Sequence, residues 1–401
     1  MEGFLMLAIN GGHLFDGIGD DFQKNVSVTI EKDKIMNLGY GAKAEKTLDA
    51  TGCYILPGLI DCHVHINWIP GPDPQGFITG KSDSFIALTS CNMAYRNLSL
   101  GITTVRDCCA QTTTGMALRD VIKSGIIVGP NIVTCGPALA ITGGHGFFLS
   151  AEVNGADNVR AMTRKLFKDK VDFIKLMASG GVYTEGEEPG FPQMTVEEMT
   201  AACEEAHKRS KKVTAHAEGL AGIMNALQAG VDGIEHGNMA DDEAIEMMVK
   251  KGVYLVPTLV CFESMAKPGA ADFVVRKSEI MKLASRNMIK KAIQAGVKIA
   301  AGTDSSAPNN PPENYFWELE LFHEHGMSKL DALKAATSRA AEAIGVDYTG
   351  SLEAGKMADI LVVEGNPLED LGNLRKIRYI IKSGQVVVDG DRTYFHRTVN
   401  M

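Results

Sequence analysis

The sequence predicts an α/β fold: a (β/α)8 TIM barrel that carries a small β-sandwich domain formed from both chain ends. Short apolar runs alternate with segments of helical periodicity through the middle of the chain. Runs of β type, separated by glycine-rich turns, occupy both ends. A chain of 401 residues is long enough for one large domain and one smaller one.

The alternation in the middle consists of about eight strand-like runs, most of them followed by a helix-like segment. After a first run at 54–59, the strand-like runs are 102–107, 131–135, 172–177, 212–217, 233–236, 253–258 and 297–304. The helix-like segments include 195–209, which opens with the capping-box pattern Thr195-Val196-Glu197-Glu198, and 220–229, 242–251, 275–295 and 329–344. Repeated strand–helix units predict a parallel sheet, and eight of them fit a closed barrel. A doubly wound open sheet is the alternative, but no Gly-x-Gly-x-x-Gly sequence follows the early strands.

The two chain ends share a β-rich character. The strand-like runs are 7–10, 27–31 and 34–38 near the N-terminus, and 359–363, 379–382 and 385–388 near the C-terminus. Two β-rich ends that flank a different middle predict a small domain built from both termini. The predicted boundaries are 1–56 and 355–401 for the small domain and 57–354 for the barrel.

Composition and charge exclude several classes of function. A formal net charge of −9 without a basic run disfavours nucleic-acid binding. We find no apolar run of membrane-spanning length, and residues 1–10 lack the features of a signal peptide. The eight cysteines include no Cys-x-x-Cys pair, which predicts reduced thiols in a cytoplasmic protein. We therefore expect a small-molecule or dipeptide substrate and no nucleic-acid or membrane partner; a homo-oligomer is compatible with the sequence.

The segment Leu56-Pro57-Gly58-Leu59-Ile60-Asp61-Cys62-His63-Val64-His65 ends an apolar run with two histidines separated by one residue. In a strand, side chains at i and i+2 point to the same side, so both imidazoles would face a common point. Two neutral ring nitrogens suit zinc or a similar divalent ion. Two unrelated histidines in a loop are the alternative, and the short motif alone does not decide between them.

Further metal-competent side chains lie at other predicted strand ends, where the catalytic groups of a (β/α)8 barrel are found. They are Lys175 in the fourth strand, His216 in the fifth, His236 in the sixth and Asp304 in the eighth. Taken singly, the histidines could be structural and Asp304 could cap a turn. Lys175 lies in an apolar strand, and a buried ammonium without a partner is costly. A neutral amine can add carbon dioxide, and the resulting carbamate has two oxygens that could bridge two cations.

As an ordered set, these residues resemble the amidohydrolase superfamily. The tail Gly350-Ser351-Leu352-Glu353-Ala354-Gly355-Lys356-Met357-Ala358-Asp359 is similar to that superfamily's return from the barrel, and the resemblance covers nearly the whole chain. It implies that His63, His65, carboxylated Lys175 and Asp304 hold one divalent metal ion, with zinc expected. It also implies that Lys175, His216 and His236 hold a second ion and that a hydroxide bridges the two. Asp304 would accept the water's proton and deliver it to the leaving amine.

Within the superfamily, the chain resembles the Xaa-Pro dipeptidase and lysine/arginine carboxypeptidase-like group. The similar segments are 142–146, 179–182 and 235–238. This resemblance implies hydrolysis of the amide of a C-terminal residue in dipeptides or N-acyl amino acids. His145 and Tyr183 could contact the scissile carbonyl or the substrate carboxylate; a loop-ordering hydrogen bond for His145 and ring packing for Tyr183 are the alternatives.

Other interpretations stay open at this point. The same metal centre could serve a hydrolase of cyclic or aromatic amides, an imidazolonepropionase-like enzyme, or a barrel scaffold that has lost its activity. A cluster after strand four could attract a cationic C-terminal side chain, although a solvated loop is the commoner interpretation; its members are Glu185, Glu187 and Glu188. Arg106 and Asp107 are interpreted as a structural pair. The other histidines are interpreted as structural or surface residues: His13, His207, His323, His325 and His396.

Overall fold

The computed structural model describes residues 6–110, 113–267 and 269–394. Its strands, in chain order, are β1 (Leu7–Leu14), β2 (Gln23–Glu31), β3 (Lys34–Gly39), β4 (Lys46–Asp49), β5 (Cys53–Pro57), β6 (Leu59–Val64), β7 (Ile102–Asp107), β8 (Asn131–Thr134), β9 (Ala138–Ala140), β10 (Ser150–Glu152), β11 (Ile174–Met177), β12 (Val213–Ala217), β13 (Gly233–His236), β14 (Tyr254–Val256), β15 (Lys298–Ile299), β16 (Ile360–Glu364), β17 (Ile377–Lys382), β18 (Gln385–Asp389) and β19 (Arg392–Thr393). Its α-helices are α1 (Pro74–Ile78), α2 (Asp83–Ser99), α3 (Thr114–Lys123), α4 (Ala156–Lys168), α5 (Val196–His207), α6 (Leu220–Ala229), α7 (Asp242–Lys251), α8 (Leu259–Met265), α9 (Asp272–Ala295), α10 (Tyr315–Glu324), α11 (Lys329–Ala335) and α12 (Ser338–Ile344).

The two chain ends meet in one nine-stranded sheet of order β19-β18-β17-β16-β5-β1-β2-β3, with β4 paired to β1. Strands β5 and β16 join the ends: they run antiparallel in a register from Pro57↔Ile360 to Cys53↔Glu364. Buried aliphatic side chains such as Ile9, Ile55 and Val362 form the core beside this sheet. The β-rich ends therefore come together as predicted. The sandwich form and the domain boundaries stay predictions, and residues 395–401 of the last segment lie outside the described residues.

The middle of the chain contains the parallel strands. Strands β10-β9-β11-β12-β13-β14-β15 form one parallel sheet and β6-β7-β8 another. Backbone hydrogen bonds connect the two sheets on both sides: the Cys62 N–H donates to the Ala301 carbonyl at 2.9 Å, and the Asp172 N–H donates to the Thr134 carbonyl at 2.8 Å. The alternation of parallel strands and helices is confirmed, whereas complete closure of the barrel stays a prediction.

Parallel strands covered on both faces carry few exposed side chains. Every residue of β6, β7, β11, β12 and β13 is buried, including the polar residues near their C-terminal ends. Polar groups held in this way must find partners or a ligand. The strands therefore position several titratable side chains in an enclosed space at one end of the sheets.

The helix predicted over 329–344 is wrong in one respect, because it is two helices, α11 and α12. The break lies at Thr337, whose backbone leaves the helical region at φ −134° and ψ −97°. The carbonyls of Ala335 and Ala336 accept hydrogen bonds from the backbone N–H groups of Ala301 and Ile60 instead of continuing the helix. Sequence periodicity does not report this competition from distant strands. The capping box at Thr195 and Glu198 is present at the start of α5, as predicted.

None of the helices in the described part of the chain combines the length and the apolar character needed to cross a membrane.

Candidate metal centre

The predicted metal ligands line one cavity at the C-terminal ends of the parallel strands. The empty space of this cavity, counted together with its opening to solvent, is about 570 Å³. The six predicted ligands that line it are His63, His65, Lys175, His216, His236 and Asp304. They lie in β6 or directly after it, in β11, β12 and β13, and in the segment after β15. Residues far apart in the sequence are therefore brought together, as the strand-end argument predicts.

His63, His65 and Asp304 form one half of the site. Oδ1 of Asp304 lies 2.9 Å from His65 Nε2 and 3.5 Å from His63 Nε2. Neither pair is aligned as a hydrogen bond, so Asp304 Oδ1 is buried without a donor among the described residues. Ligand atoms of His63, His236 and Asp304 lie within 4.8 Å of one another. A divalent cation would satisfy these atoms together.

His216 and His236 form the other half, with ring centroids 4.8 Å apart. The His216 Nε2 lies 3.1 Å from the Gly180 carbonyl, an acceptor, which requires the proton on Nε2 and leaves the Nδ1 lone pair free. The His236 Nδ1 lies 2.7 Å from the Thr258 hydroxyl, which leaves Nε2 free. Burial lowers the pKa of both rings well below the usual histidine value, so both are neutral, as metal binding requires.

Lys175 lines the same cavity as both halves of the site and is 1% exposed. Its ammonium makes no hydrogen bond or ion pair with any other residue in the described part of the chain. Burial, followed by the positive charge of Lys175, lowers the pKa of His63 to about 4. An unpaired cation beside neutral imidazoles is unfavourable, whereas a carbamate on the same nitrogen would be an anion between two cation-binding sets. These residues therefore fit divalent metal ions, and the bridging of two ions by a carboxylated Lys175 stays a prediction.

A buried ion pair supports His63 from outside. The His63 Nδ1 lies 2.8 Å from Glu235 Oε2, and the Arg106 Nη2 donates to Glu235 Oε1 at 2.5 Å. Burial raises the pKa of Glu235, but Arg106, Lys175 and His63 lower it by more, so the net direction is strongly downward. A carboxylate on the outer nitrogen fixes the ring orientation and leaves Nε2 for a metal.

Glu235 was not among the predicted site residues, and the predicted pairing of Arg106 with Asp107 is wrong. Arg106 and Asp107 are adjacent in β7, so their side chains point to opposite faces. Arg106 pairs with Glu235, whereas Asp107 accepts hydrogen bonds from the Thr134 hydroxyl at 3.0 Å and from the Ile66 N–H at 3.3 Å. A charged residue inside the apolar run that ends in His236 was the available signal for Glu235.

His145 lines the cavity and stacks on His216, with centroids 4.2 Å apart and an interplanar angle of 16°. Its Nδ1 lies 2.5 Å from Glu187 Oε1, which orders the loop. Its substrate contact stays a prediction. Tyr183 also lines the cavity, but its hydroxyl already donates to Asp73 Oδ1 at 2.7 Å and accepts from the Gln75 N–H at 3.1 Å.

Aromatic side chains form one wall of the cavity. The rings of Trp68 and Phe148 are stacked with centroids 6.0 Å apart, and Tyr183 contacts both edge-on. The Trp68 ring also lies 5.1 Å from that of His65. The site therefore combines a polar floor of possible metal ligands with an apolar wall that suits a hydrophobic part of a substrate.

The acidic cluster after β11 does not face the cavity as a group. Glu187 is bonded to His145, and Glu188 pairs with Arg276. Glu185 is exposed to solvent. Three of the remaining histidines bind elsewhere, as expected for structural residues: His13 stacks on Tyr54, His207 pairs with Asp232 and His323 bonds to the Met327 carbonyl. His396 lies outside the described residues.

Residues 54–390 match the family model described as the amidohydrolase family. The chain belongs to this family. The amidohydrolase is 35% identical to ochratoxinase from Aspergillus niger over an alignment that covers 90% of this chain and 82% of that protein. Its fold is similar to the crystal structure of a Xaa-Pro dipeptidase with methionine bound in the active site, at a TM-score of 0.88 and 31% identity over 95% of this chain and 99% of that one.

A crystal structure of a prolidase in complex with N-methylphosphonate-L-proline is also similar to this amidohydrolase. The TM-score is 0.88 at 28% identity, and the match covers 95% of this chain and 99% of that one. The predicted superfamily is therefore confirmed. So is the prediction of a hydrolase that acts on amide bonds, because ochratoxinase and a Xaa-Pro dipeptidase are among the relatives that match nearly the whole chain.

Proposed function

We propose that this amidohydrolase uses two divalent metal ions to cleave the amide bond of dipeptides or N-acyl amino acids. The observation that carries the proposal is Lys175, a buried amine without a partner among the described residues, which lines the same cavity as the histidines and Asp304. The similarity to a Xaa-Pro dipeptidase and to a prolidase with a proline phosphonate supports the substrate class.

The proposed ligands form two sets, as the resemblance to the superfamily implies. His63, His65, the carbamate on Lys175 and Asp304 would hold one ion, and the carbamate, His216 and His236 would hold the other; zinc is the expected metal. When bound, the pair of ions would supply an activated water and polarise the substrate carbonyl. The protein contributes neutral imidazoles whose outer nitrogens are fixed by Glu235, Gly180 and Thr258.

Asp304 is the proposed proton carrier. Burial raises its pKa, but the positive charges of His63, His65 and His236 lower it by more, so the pKa lies well below the usual aspartate value. Its Oδ2 accepts a hydrogen bond from the Cys261 thiol at 3.1 Å, which orients the carboxylate. The carboxylate would take a proton from the attacking water and transfer it to the nitrogen of the leaving amine.

A hydrolase of aromatic amides is the second candidate, because Trp68 and Phe148 place stacked rings beside the metal-binding residues. The same metal centre would act in both cases, and the apolar wall would bind the acyl part of the substrate. The similarity to ochratoxinase over 90% of the chain also keeps this candidate open.

The proposal includes the closed (β/α)8 barrel, with residues 1–56 and 355–401 forming the small domain. A cytoplasmic location is part of it as well, and the eight cysteines, which are all free thiols, support this.

Metal analysis and a substrate library test the proposal together. Protein reconstituted with zinc and bicarbonate should contain about two metal ions per chain and should hydrolyse members of a library of dipeptides and N-acyl amino acids. Amides of aromatic acyl groups in the same library test the second candidate. Protein that binds no zinc after reconstitution would instead be a catalytically inactive scaffold.

A further inference from the structure

Glu218 is a buried carboxyl group that the mechanism above does not use. It follows β12, two residues after His216, is 2% exposed and lines the cavity. Its own backbone N–H donates to the Ser179 hydroxyl at 2.9 Å, which fixes the position of the residue. Its Oε2 has no hydrogen-bond donor among the described residues. Buried carboxylate oxygens normally have donors, so a ligand is expected to supply one.

Two basic side chains near Glu218, Lys277 and His216, already have other partners. The nearby Lys277 amino group donates to the Thr184 carbonyl at 2.8 Å. His216 Nε2 lies 3.8 Å from Glu218 Oε1, but that nitrogen already donates to the Gly180 carbonyl. Glu218 and Asp304 are the acidic residues among those that line the cavity. The cavity therefore holds one carboxyl group that the proposed metal pair and the protein both leave without a cation.

Direct metal binding by Glu218 is the competing role. Ligand atoms of His216, Glu218 and His236 lie within 4.8 Å of one another. However, Glu218 approaches the Nε2 side of His216, which is hydrogen-bonded, whereas the free lone pair is on Nδ1. Glu218 therefore lies beside the ring edge that faces away from the proposed metal ligand atom.

We propose that Glu218 binds the free α-ammonium group of the substrate and so makes the enzyme select dipeptides over N-acyl amino acids. The inference rests on the proposed function, since it assumes that the scissile carbonyl lies at the metal-binding residues. In a dipeptide, only Cα separates the α-nitrogen from that carbonyl carbon. A carboxylate next to a metal-ligand histidine can reach the α-ammonium, whereas a cationic side chain would extend further away. An ammonium offers three donors for charge-assisted hydrogen bonds.

Two compounds that differ only in the α-amino group test this. L-Alanyl-L-phenylalanine and N-propionyl-L-phenylalanine share the scissile amide and the leaving amino acid. The zinc-loaded wild-type enzyme should show a kcat/KM at least about tenfold higher for the alanyl compound. Glu218→Gln should lower kcat/KM for the alanyl compound about ten- to a hundredfold and change that for the propionyl compound less than about threefold.

The variant Glu185→Gln is the matched control, because it removes an exposed carboxylate from the segment after β11 and should leave both values unchanged. The zinc content of Glu218→Gln should equal that of the wild type. Loss of zinc with an equal decline for both compounds would mean that Glu218 positions His216, and would overturn the inference. A wild-type enzyme that prefers the propionyl compound would overturn it without any variant.

A second pair of compounds separates the α-ammonium from a charged side chain. N-Propionyl-L-lysine and N-propionyl-L-norleucine differ in the charge of the C-terminal side chain. If Glu218→Gln changed the ratio of their kcat/KM values, Glu218 would bind that side chain, contrary to the inference. If the zinc-loaded wild type cleaved none of these compounds, the proposed function would fail by itself. Calorimetry would then compare the binding of the two phenylalanine compounds to the zinc-loaded wild type. If the alanyl compound binds at least about tenfold more tightly than the propionyl compound, the inference about Glu218 is supported. Equal affinities would overturn it.

Discussion

The two halves of the candidate metal centre are supported in different ways. On one side, the outer nitrogen of His63 meets the carboxylate of Glu235, which is itself paired with Arg106 inside the protein. On the other side, the outer nitrogens of His216 and His236 meet neutral groups, the Gly180 carbonyl and the Thr258 hydroxyl. A charged partner raises ligand basicity and fixes the ring more strongly than a neutral one. The first half is therefore expected to bind its metal more tightly, and the second to depend more on Lys175.

Lys175→Ala should have the largest effect, because it removes the only proposed ligand shared by both halves. We expect zinc content to fall from about two ions per chain to about one, with the ion at His63 and His65 retained. The kcat/KM should fall by at least about a thousandfold, which corresponds to roughly 4 kcal/mol. Metal analysis and steady-state kinetics measure both, and Lys165→Ala, at an exposed position, is the control. Full activity with normal zinc content would refute the bridging role.

Glu235→Gln should lower both the zinc affinity of the half that contains His63 and the stability of the fold. The substitution leaves the buried Arg106 without its anionic partner, which should cost about 3–5 kcal/mol of unfolding free energy. It should also weaken the more tightly bound zinc about ten- to a hundredfold. Denaturant unfolding of metal-free protein and zinc competition with a chelator give the two quantities. Unchanged stability would show that the Arg106–Glu235 pair does not carry the difference between the halves.

Thr258→Val is the matching change on the second half. It removes a neutral hydrogen bond at 2.7 Å from His236, so we expect a loss of about 1 kcal/mol in stability and about tenfold in affinity for the weaker zinc. Zinc competition with a chelator measures the change in affinity, and denaturant unfolding measures the change in stability. An effect larger than that of Glu235→Gln on the tighter ion would reverse the proposed order of the two halves.

His145→Asn should have the smallest effect of the four. It removes the ring that stacks on His216 and the hydrogen bond to Glu187, without removing a proposed metal ligand. We expect normal zinc content and a kcat/KM lower by about threefold to tenfold. Unchanged turnover and unchanged substrate affinity would mean that His145 only orders its loop.

The sequence could predict the parts of the site that follow from local geometry. The spacing of His63 and His65, and the rule that catalytic groups lie at strand ends, were sufficient to place these residues around a common cavity with His216, His236 and Asp304. The alternating strands and helices of the middle were predictable for the same reason, since periodicity is a local property.

What the sequence could not show depends on contacts between distant segments. The pairing of Arg106 with Glu235 crosses from β7 to β13, and the break between α11 and α12 depends on N–H groups from other strands. The isolation of Glu218 is likewise a property of the folded cavity, because it requires knowing that Lys277 and His216 already have other partners. Sequence patterns carry no record of which donor a buried acceptor finally meets.

If Lys175 becomes an anion shared by two metal ions, ¹³C NMR should detect the carbamate carbon itself. Zinc-loaded protein prepared with ¹³C-bicarbonate should show one protein-bound carbamate carbon per chain, and Lys175→Ala should lack that signal. Wild-type protein that holds two zinc ions per chain without a carbamate signal would contradict the account.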